Sequence, residues 1–464
     1  MLGIYRAARP EAAERIAAFA LRAGDGDLAP AGREALRRSV LDALGCAIGA
    51  LSAAPVRAVR ALADELGGAE QCTTVGGGRT AVDRAAMVNA ALVRYLDFMD
   101  NCAAQGEVCH PSDNLGPVLA AAEYADAGGR EFMLALAVAY QVQCQLIAAV
   151  PTMRAGINYT TPLAFSVAAG ASRLLGLDEG RAANALALAG VGEVSLAVIQ
   201  AEPLSQWKGL ASAEAGARAL HSTLLARNGV TGPLGVFDGP LGLYALAGGH
   251  DDVDWARERL DAVERTSLKR CQAEFQSQSA IDATLILRRQ YDLRGEDVDA
   301  ITVDVARGAY EVLGGGKYGP KDECHVKEQA DHNLKYLVAV ALLDVEVWPE
   351  QFASDRINRD DVQALLRRVT VRPDAAYTRR IPDEMPARVT IARRHGAELE
   401  VEVSDYEGFY ARPMSWEQVV EKFDRLTAPF TDASLRADIV AAVAALEDIP
   451  VADLTRLLAR ARLT

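Results

Sequence analysis

The chain of 464 residues is half hydrophobic by composition, which is enough for two or three domains with a large buried core and excludes a disordered or fibrous protein. Its formal net charge of -14 argues against a nucleic-acid partner, because such binding depends on clustered lysine and arginine that neutralise phosphates. The seven cysteines are scattered without a CxxC pair, which is typical of reduced thiols in a cytoplasmic protein.

Two apolar segments have lengths that invite comparison with signal or membrane sequences. The first 23 residues carry Glu and Arg at helical spacing, so they predict an amphipathic helix and not a signal peptide. The longest apolar run, 132–150, is interrupted by Gln141, Gln143 and Gln145. Three amides in hydrocarbon would be costly, so this run predicts a helix buried in protein and no membrane partner.

The pattern of the chain changes near residue 265. From residue 10 to about 262, alanine-rich stretches place apolar residues at i, i+3 and i+4, which predicts one helix after another. Beyond that point, four windows alternate apolar and polar residues and are rich in β-branched side chains, which predicts strands at 301–306, 368–372, 387–393 and 398–403. The helical pattern returns after Pro413.

These patterns predict a mainly α protein, in which a large all-helical domain carries a smaller inserted α+β domain. We place the helical domain at 1–264, the α+β domain at 265–405 and a set of C-terminal helices at 406–464. Because the helical pattern resumes after the strands, we expect the C-terminal helices to pack back on the helical domain.

The segment 95–114 concentrates polar groups between two alanine-rich helical patterns. It contains Asp97, Asp100, Asn101 and His110. Carboxylate and imidazole are the usual pair when a proton must move near neutral pH, so the segment is a candidate catalytic site. The same residues would also suit a plain loop in which an aspartate caps one helix and His-Pro ends another. Residue types alone leave both interpretations open.

Common cofactor motifs do not fit the chain. The glycine-rich stretches at 76–78 and 314–317 match neither the GxxxxGK[ST] spacing nor a strand followed by GxGxxG. Cys102 and the Cys-His pairs at 109–110 and 324–325 lack the spacing of a zinc site, and HExxH is absent. A serine nucleophile would lack its GxSxG turn. We therefore predict no metal and no cofactor.

Two lysines are candidates for binding an anionic substrate. Lys208 lies among small residues at the predicted start of a helix, and Lys269 lies at the junction with the second domain. Each lysine, taken alone, fits an exposed surface position as well as a pocket. Set beside Asp97 and His110, the two ammonium groups would suit a substrate that carries several carboxylates.

Several segments together resemble the MmgE/PrpD family. The resemblance extends over nearly the whole chain, at 41–51, 85–100, 110–124, 171–190, 228–242, 273–283 and 330–344. HPSDNLG and ADHNLKYLVAVALL look specifically like the 2-methylcitrate dehydratase branch. The resemblance implies a large helical domain, a smaller α+β lid domain, a homodimer, and metal-free chemistry on a small polycarboxylate substrate at the domain junction.

The resemblance also assigns site residues by position. Five positions carry the residue type found in the family's site: Asp97, His110, Lys208, Lys269 and Tyr336. Three positions depart from the family, since Asn101 replaces a threonine and Tyr159 and Gln276 each replace a histidine. A phenol with an ordinary pKa of about 10 does not titrate near neutral pH as an imidazole does, so these departures bear on the reaction more than on the fold.

The expected reaction is proton abstraction α to a carboxylate, with cations that stabilise the enolate-like charge and an acid that protonates the leaving hydroxyl. We expect the two lysines to stabilise the charge and, with Asn101 and Gln276, to bind substrate. His110 is expected to move the proton, with Asp97 orienting it or acting as a partner base. Tyr159 or Tyr336 would donate to the leaving oxygen.

Three alternatives to dehydration stay open at this point. A different order of bond breaking would give decarboxylation, and return of the proton to the opposite face would give epimerisation of a polycarboxylate or amino-dicarboxylate. A catalytically silent homologue would only bind a metabolite. Retention of the aspartate, the histidine and both lysines disfavours this last reading, because a buried charge costs several kcal/mol unless it is paired.

Overall fold

The computed structural model describes residues 11–250 and 252–462. Residues 1–10, with which the predicted N-terminal amphipathic helix begins, lie outside the described residues, as do the last two residues of the predicted C-terminal helices. The protein is mainly helical, which confirms the predicted fold class.

The N-terminal part of the chain builds the larger hydrophobic core. Its helices among the described residues are α1 (Ala12–Arg22), α2 (Pro30–Gly49), α3 (Ala54–Leu66), α4 (Val82–Tyr95), α5 (Leu115–Tyr124), α6 (Gly129–Ala149), α7 (Thr160–Leu174), α8 (Glu179–Gly192), α9 (Ala211–Arg227) and α10 (Leu243–Ala247). Helices α4 and α5 flank the polar segment. They can approach closely because Gly116 has no side chain. A Cβ atom at this position would lie 2.4 Å from the backbone nitrogen of Ala90.

Two short hairpins lie within this helical part. One pairs β1 (Cys72–Thr73) with β2 (Arg79–Thr80), and the other pairs β3 (Cys102–Ala104) with β4 (Glu107–Cys109). Gly106 takes a left-handed φ of 82° in the tight turn of the second hairpin, a conformation that glycine adopts without steric cost. Strands this short carry no detectable alternation, which is why the sequence pattern showed only helices here.

The second core surrounds a four-stranded sheet. Its strands are β5 (Val298–Ala306), β6 (Val369–Asp374), β7 (Ala387–Arg393) and β8 (Leu399–Val403), in the order β6-β5-β7-β8. Strand β5 is parallel to β6 and antiparallel to β7, and β7 is antiparallel to β8. All four predicted strand windows are therefore strands. The helices of this part are α11 (Gln278–Gln290), α12 (Arg307–Ala309), α13 (Lys327–Ala330), α14 (Leu334–Asp344), α15 (Ser354–Ile357), α16 (Asp360–Leu366) and α17 (Ala375–Arg380).

The C-terminal helices are α18 (Trp416–Thr427), α19 (Ala433–Ala444) and α20 (Val451–Leu458), and their apolar residues belong to the larger core. Lys422 on α18 is buried and pairs with Asp42 of α2 at 2.7 Å. Its Nζ also donates to the backbone oxygens of Phe98 and Lys269. One lysine thereby fixes the C-terminal helices to the polar segment and to the junction between the two cores.

Among the described residues, the straight helix with the length and apolar composition of a bilayer-crossing segment is α6, and 83% of its most apolar window is buried inside the protein. Helices α2 and α3 meet the same composition test only as a pair, with a bend of 86° between them.

Candidate active site

The polar segment meets the second core in a buried cluster of charges centred on Asp97. This residue follows α4 with a φ of 56°, a left-handed conformation that is uncommon outside glycine. Its Oδ1 lies 2.7 Å from the Nζ of Lys269 and 3.1 Å from Nη1 of Arg94. Its Oδ2 lies 3.6 Å from the Nζ of Lys208. Burial opposes ionisation of Asp97, but these three cations outweigh it and hold the pKa of the carboxyl well below its usual range.

A second carboxylate, Asp331, faces the same lysine. Lys208 forms a short ion pair with one of its oxygens, and the Nζ of Lys327 lies 2.7 Å from the other. Burial would raise the pKa of Asp331, yet Lys208 and Lys327 hold it below its usual range. The inner cluster thus places four cationic side chains around two carboxylates that stay ionised. With Lys208 protonated, it retains positive charge for an anionic ligand.

The arrangement also resembles a metal site in spacing, because Asp97, Asp331 and His332 place potential ligand atoms within 4.8 Å of one another. The Nζ of Lys208 already lies among these groups, 2.9 Å from Nδ1 of His332 and in ion-pair contact with both carboxylates. The protein's own ammonium therefore takes the central position that a metal ion would need. Burial and Lys208 lower the pKa of His332 to about 4, so its ring is neutral at neutral pH.

A small cavity of about 40 Å³ opens beside this cluster, between the two cores. It has room for on the order of three water molecules. The titratable side chains that line it are Arg94, His110, Tyr159, Lys208, Glu274 and His332. A wider cavity of about 530 Å³ adjoins it and shares Val108, Gln200, Gln276 and Val312 as lining. The combined space has the size of a small-molecule site.

His110 is held in one tautomer. Its Nδ1 lies 2.8 Å from the backbone oxygen of Asp100, and because a carbonyl oxygen only accepts, Nδ1 carries the proton. Nε2 is then the nitrogen that can accept a proton. Burial, followed by the charges of Arg94 and Lys269, holds the pKa of His110 well below its usual range, so the ring is neutral and available as a base.

Glu274 is a cavity residue that the sequence reasoning missed. Burial raises the pKa of its carboxyl to about 7, although the charge of Lys269 opposes the shift. The backbone N–H of Gln276 donates to Glu274 Oε2 at 2.7 Å, which fixes the carboxyl at the cavity wall. An acid that is half protonated near neutral pH suits proton donation to a leaving group. Its position within 273–283, one of the segments that carry the family resemblance, was the available signal.

Arg94 and His332 were also missed. In the sequence, Arg94 lies at a helical position where a charged residue would ordinarily face solvent. In the structure its side chain is buried, and its Nε donates to the hydroxyl of Tyr159 at 3.1 Å. His332 lies within 330–344, which was singled out only as a resembling segment. Both positions depend on contacts between distant parts of the chain, which no local pattern shows.

Tyr159 lines the cavity, but its hydroxyl is already engaged. It accepts from Arg94 and lies 3.3 Å from Oδ2 of Asp113, to which it donates. Burial, together with the charge of Asp113, raises the pKa of the phenol, although Arg94 opposes the shift. The Tyr159 ring packs edge-on against His110 with the ring centroids 5.3 Å apart. Tyr159 therefore contacts both Arg94 and the imidazole, and its donor hydrogen is directed to Asp113; that it donates to a leaving oxygen stays a prediction.

The structure brings the other predicted residues to different places. Gln276 lines both cavities. Lys269 is fully buried, pairs with Asp97 and is not among the lining residues, so it acts on the site through its charge. The side-chain amide of Asn101 donates to the backbone oxygen of Ser267 and to the Tyr406 hydroxyl, each at 3.3 Å. Asn101 is not among the residues that line either cavity. These hydrogen bonds join the polar segment to residues 267 and 406, and the expected substrate contact of Asn101 stays a prediction.

Tyr336 lies away from the site. It is fully buried on α14 within the second core, and its hydroxyl donates to the backbone oxygen of Gln351. The expectation that Tyr336 donates to a leaving oxygen is not supported by this placement. Its residue type matched by position, but the apolar helix that carries it turns the ring into the core.

Two models of known protein families match this chain. The model described as the MmgE/PrpD N-terminal domain matches residues 14–256, and the MmgE/PrpD C-terminal domain matches residues 272–448. The chain belongs to the MmgE/PrpD family. This MmgE/PrpD protein places its cavity where the two matched regions meet, since residues of both line it.

Curated relatives of this MmgE/PrpD protein are similar at modest identity. The 2-methylcitrate dehydratase of Cupriavidus necator is 29% identical over 382 residues, 77% of this chain and 76% of the relative. The 2-methylcitrate dehydratase of Escherichia coli strain K12 is 26% identical over 350 residues, 71% of each chain. An alkylcitrate dehydratase of a fungal species (strain ATCC 74256) is 27% identical over 428 residues, 84% of this chain and 82% of the relative.

Proposed function

We propose that this protein is a lyase of the hydro-lyase type, which dehydrates a small di- or tricarboxylate resembling 2-methylcitrate. One observation carries the proposal: a neutral imidazole, a carboxyl group with a pKa of about 7 and two cationic side chains line the same buried cavity. The names of the relatives support the same class of reaction.

The proposed reaction begins with binding of the substrate carboxylates by Arg94 and Lys208, the cationic side chains that line the small cavity. Burial and, after it, the charges of Arg94 and Lys269 hold the pKa of His110 low, so the negative charge of the bound substrate would offset the cationic part, raise the pKa and improve the base. Nε2 of His110 then takes the proton from the carbon α to a carboxylate. The enolate-like charge that forms is stabilised by the same two cations, which need no rearrangement at that moment.

Loss of the hydroxyl completes the elimination. Glu274 donates its proton to the leaving oxygen, the carbon–oxygen bond breaks, and water and an alkene are released. The separate base and acid favour dehydration over epimerisation, which needs only a proton returned to carbon, and over decarboxylation, which needs no leaving hydroxyl. The test is incubation with 2-methylcitrate, citrate, cis-aconitate and amino-dicarboxylates, with alkene, CO2 and deuterium uptake measured. Binding without any turnover would favour the catalytically silent homologue.

The role of Glu274 gives an expected pH dependence. Because a general acid must be protonated, kcat/KM of the wild type should fall as the pH rises through about 7, the pKa of Glu274. Glu274→Gln keeps an acceptor for the backbone N–H of Gln276 but has no proton to lose. We expect this variant to be about 10²- to 10⁴-fold slower and to lack the descending limb. An unchanged limb in the variant would assign it to another group.

The proposed chemistry uses protein cations, so we expect metal chelation to leave it intact. Dialysis of the protein against EDTA should change kcat/KM less than twofold, because Lys208 already takes the centre of the Asp97, Asp331 and His332 group. Steady-state kinetics before and after dialysis provide the measurement. Loss of turnover that one divalent ion restores would contradict the expectation.

We further propose a cytoplasmic homodimer that uses an exposed apolar surface beside the cavity. Val191, Val194, Leu196, Val198 and Trp207 are each 46–67% exposed, and so many large apolar side chains in one stretch of surface indicate a protein interface. The residues that follow Val198 in the chain, 199–200, line the cavity, so the interface would border the site.

A single charge tests this interface. We expect Val198→Lys to convert a dimer into a monomer in size-exclusion chromatography with light scattering, because a lysine buried in an apolar interface lacks a partner. Ile286→Lys provides the matched control, since Ile286 is 43% exposed on α11 of the second core. A wild type that is monomeric at micromolar concentration, or a dimer unaffected by Val198→Lys, would contradict the proposed surface.

A further inference from the structure

Three cysteines that no spacing pattern connects lie together beside the active site. The hairpin pairs Cys102 of β3 directly with Cys109 of β4. Cys144 of α6 reaches the same point, and the three sulfur atoms lie within 4.8 Å of one another. All three thiols are free and buried. Only the folded chain reveals this cluster, because its members are separated by up to 42 residues along the sequence.

The distances suit a metal ion bonded to all three sulfurs. Metal–sulfur bonds of about 2.3 Å in a trigonal plane separate the sulfurs by about 4.0 Å, which lies inside the observed limit. A disulfide would instead bring two sulfurs to about 2.0 Å and leave the third thiol unused. The three-residue cluster is therefore better matched to a metal ion than to a disulfide.

The residues around the three thiols indicate which metal ion would bind. The cluster packs with Ile147, Tyr159 and Ala262 in a small apolar core, and among the described residues no histidine or carboxylate completes the group. Zinc in proteins takes four ligands, and a site with three protein ligands completes the set with water, which does not reach a buried apolar core such as this one. Hard cations prefer oxygen. Monovalent copper is soft and selects thiolate sulfur. A three-sulfur set without a fourth protein ligand thus favours copper over zinc.

We propose that Cys102, Cys109 and Cys144 form a binding site for one Cu(I) ion. Each coordinated thiol releases its proton to solvent as its copper–sulfur bond forms, with no change in oxidation state. The bound ion would fasten the β3-β4 hairpin to α6. Since Asn101 and His110 immediately flank the two strands, the site lies directly behind the proposed catalytic cavity and is separate from its chemistry.

The site is tested by anaerobic titration of the full, metal-free chain with Cu(I) held by the coloured chelator bicinchoninate. We expect one equivalent of copper to pass to the protein, with new near-ultraviolet thiolate-to-copper absorption. Loss of a residue that only supports a metal ligand weakens metal binding by roughly 10- to 100-fold. Because Cys109 and Cys144 would bond the copper directly, we expect Cys109→Ala and Cys144→Ala each to weaken copper binding by more than that. Cys46→Ala on α2 is the matched control, because Cys46 is equally buried and lies outside the cluster, and should bind as the wild type does.

X-ray absorption of the copper-loaded wild type tests the same site without relying on any variant. We expect a shell of three sulfur atoms at about 2.3 Å. A wild type that leaves all the copper with the chelator, wild-type binding in both cluster variants, or a shell with fewer than three sulfurs would overturn the proposal. These readouts are independent of turnover, so they separate this site from the proposed function.

Discussion

Replacing His110 by asparagine is expected to lower kcat/KM by about 10²- to 10⁴-fold, the usual contribution of a positioned general base. Nδ2 of asparagine can take over the hydrogen bond that His110 Nδ1 donates to the backbone oxygen of Asp100. The loop should therefore keep its conformation while the proton acceptor is lost. Steady-state kinetics with 2-methylcitrate provide the measurement.

The His110→Asn result needs a control for folding. Thermal unfolding of the variant should stay close to the wild type, since the replaced ring leaves its main hydrogen bond intact. His325→Asn is a matched substitution at an exposed histidine of the second core and should keep wild-type turnover. Near-wild-type turnover in His110→Asn would remove this residue from the mechanism.

Replacing Lys208 by methionine is expected to lower kcat/KM by about 10²- to 10³-fold, through both a higher KM and a lower kcat. Lys208 is one of the two cations that line the small cavity, so its loss should weaken binding of the substrate and stabilisation of the enolate-like charge. The two carboxylates it contacts keep other partners, because Asp97 retains Lys269 and Asp331 retains Lys327. The variant should therefore fold.

The matched control for Lys208→Met is Lys335→Met. Lys335 pairs with the exposed Asp322 at 2.7 Å, and an exposed ion pair contributes about 0–1 kcal/mol. We expect this control to leave both kinetic constants unchanged. If Lys208→Met changes only thermal stability and not kcat/KM, Lys208 has a structural role and the charge of the cavity must come from elsewhere.

The architecture was largely predictable because the spacing of apolar residues along the chain indicates which face of a helix or strand is buried. The alternation at 301–306 and 387–393 follows from one face of each strand entering the second core, and the structure places strands at both. The three-residue strands of the β3-β4 hairpin were invisible, since a pattern needs more than one repeat. Such short elements are defined by a tight turn and by tertiary contacts instead.

The site was predictable only in part. The polar types of Asp97, His110 and Lys208 stood out in apolar surroundings, and these residues do lie at the junction of the two cores. Their mutual contacts differ from expectation, because the backbone of Asp100, and not the carboxylate of Asp97, orients the imidazole. A carboxylate surrounded by cations, as Asp97 is, is suited to holding them in place, and no sequence pattern distinguishes that role from proton transfer.

The missed residues share a physical cause. Glu274 and Arg94 acquire their properties from burial by segments far away in the chain, and burial is what raises the pKa of Glu274. Conversely, Tyr336 carried the expected residue type at the expected position, but α14 buries its ring in the second core. Residue identity therefore predicted membership of the family better than it predicted the direction of a side chain.

In the proposed reaction, His110 abstracts a proton α to a carboxylate and water is then eliminated. The most direct test is proton NMR of the EDTA-dialysed protein with 2-methylcitrate in D2O, with His110→Asn run in parallel. We predict an alkene product with the wild type and at most about one hundredth of that rate with the variant. The absence of both alkene and α-deuterium in every polycarboxylate tried, or equal rates for the two proteins, would contradict the account.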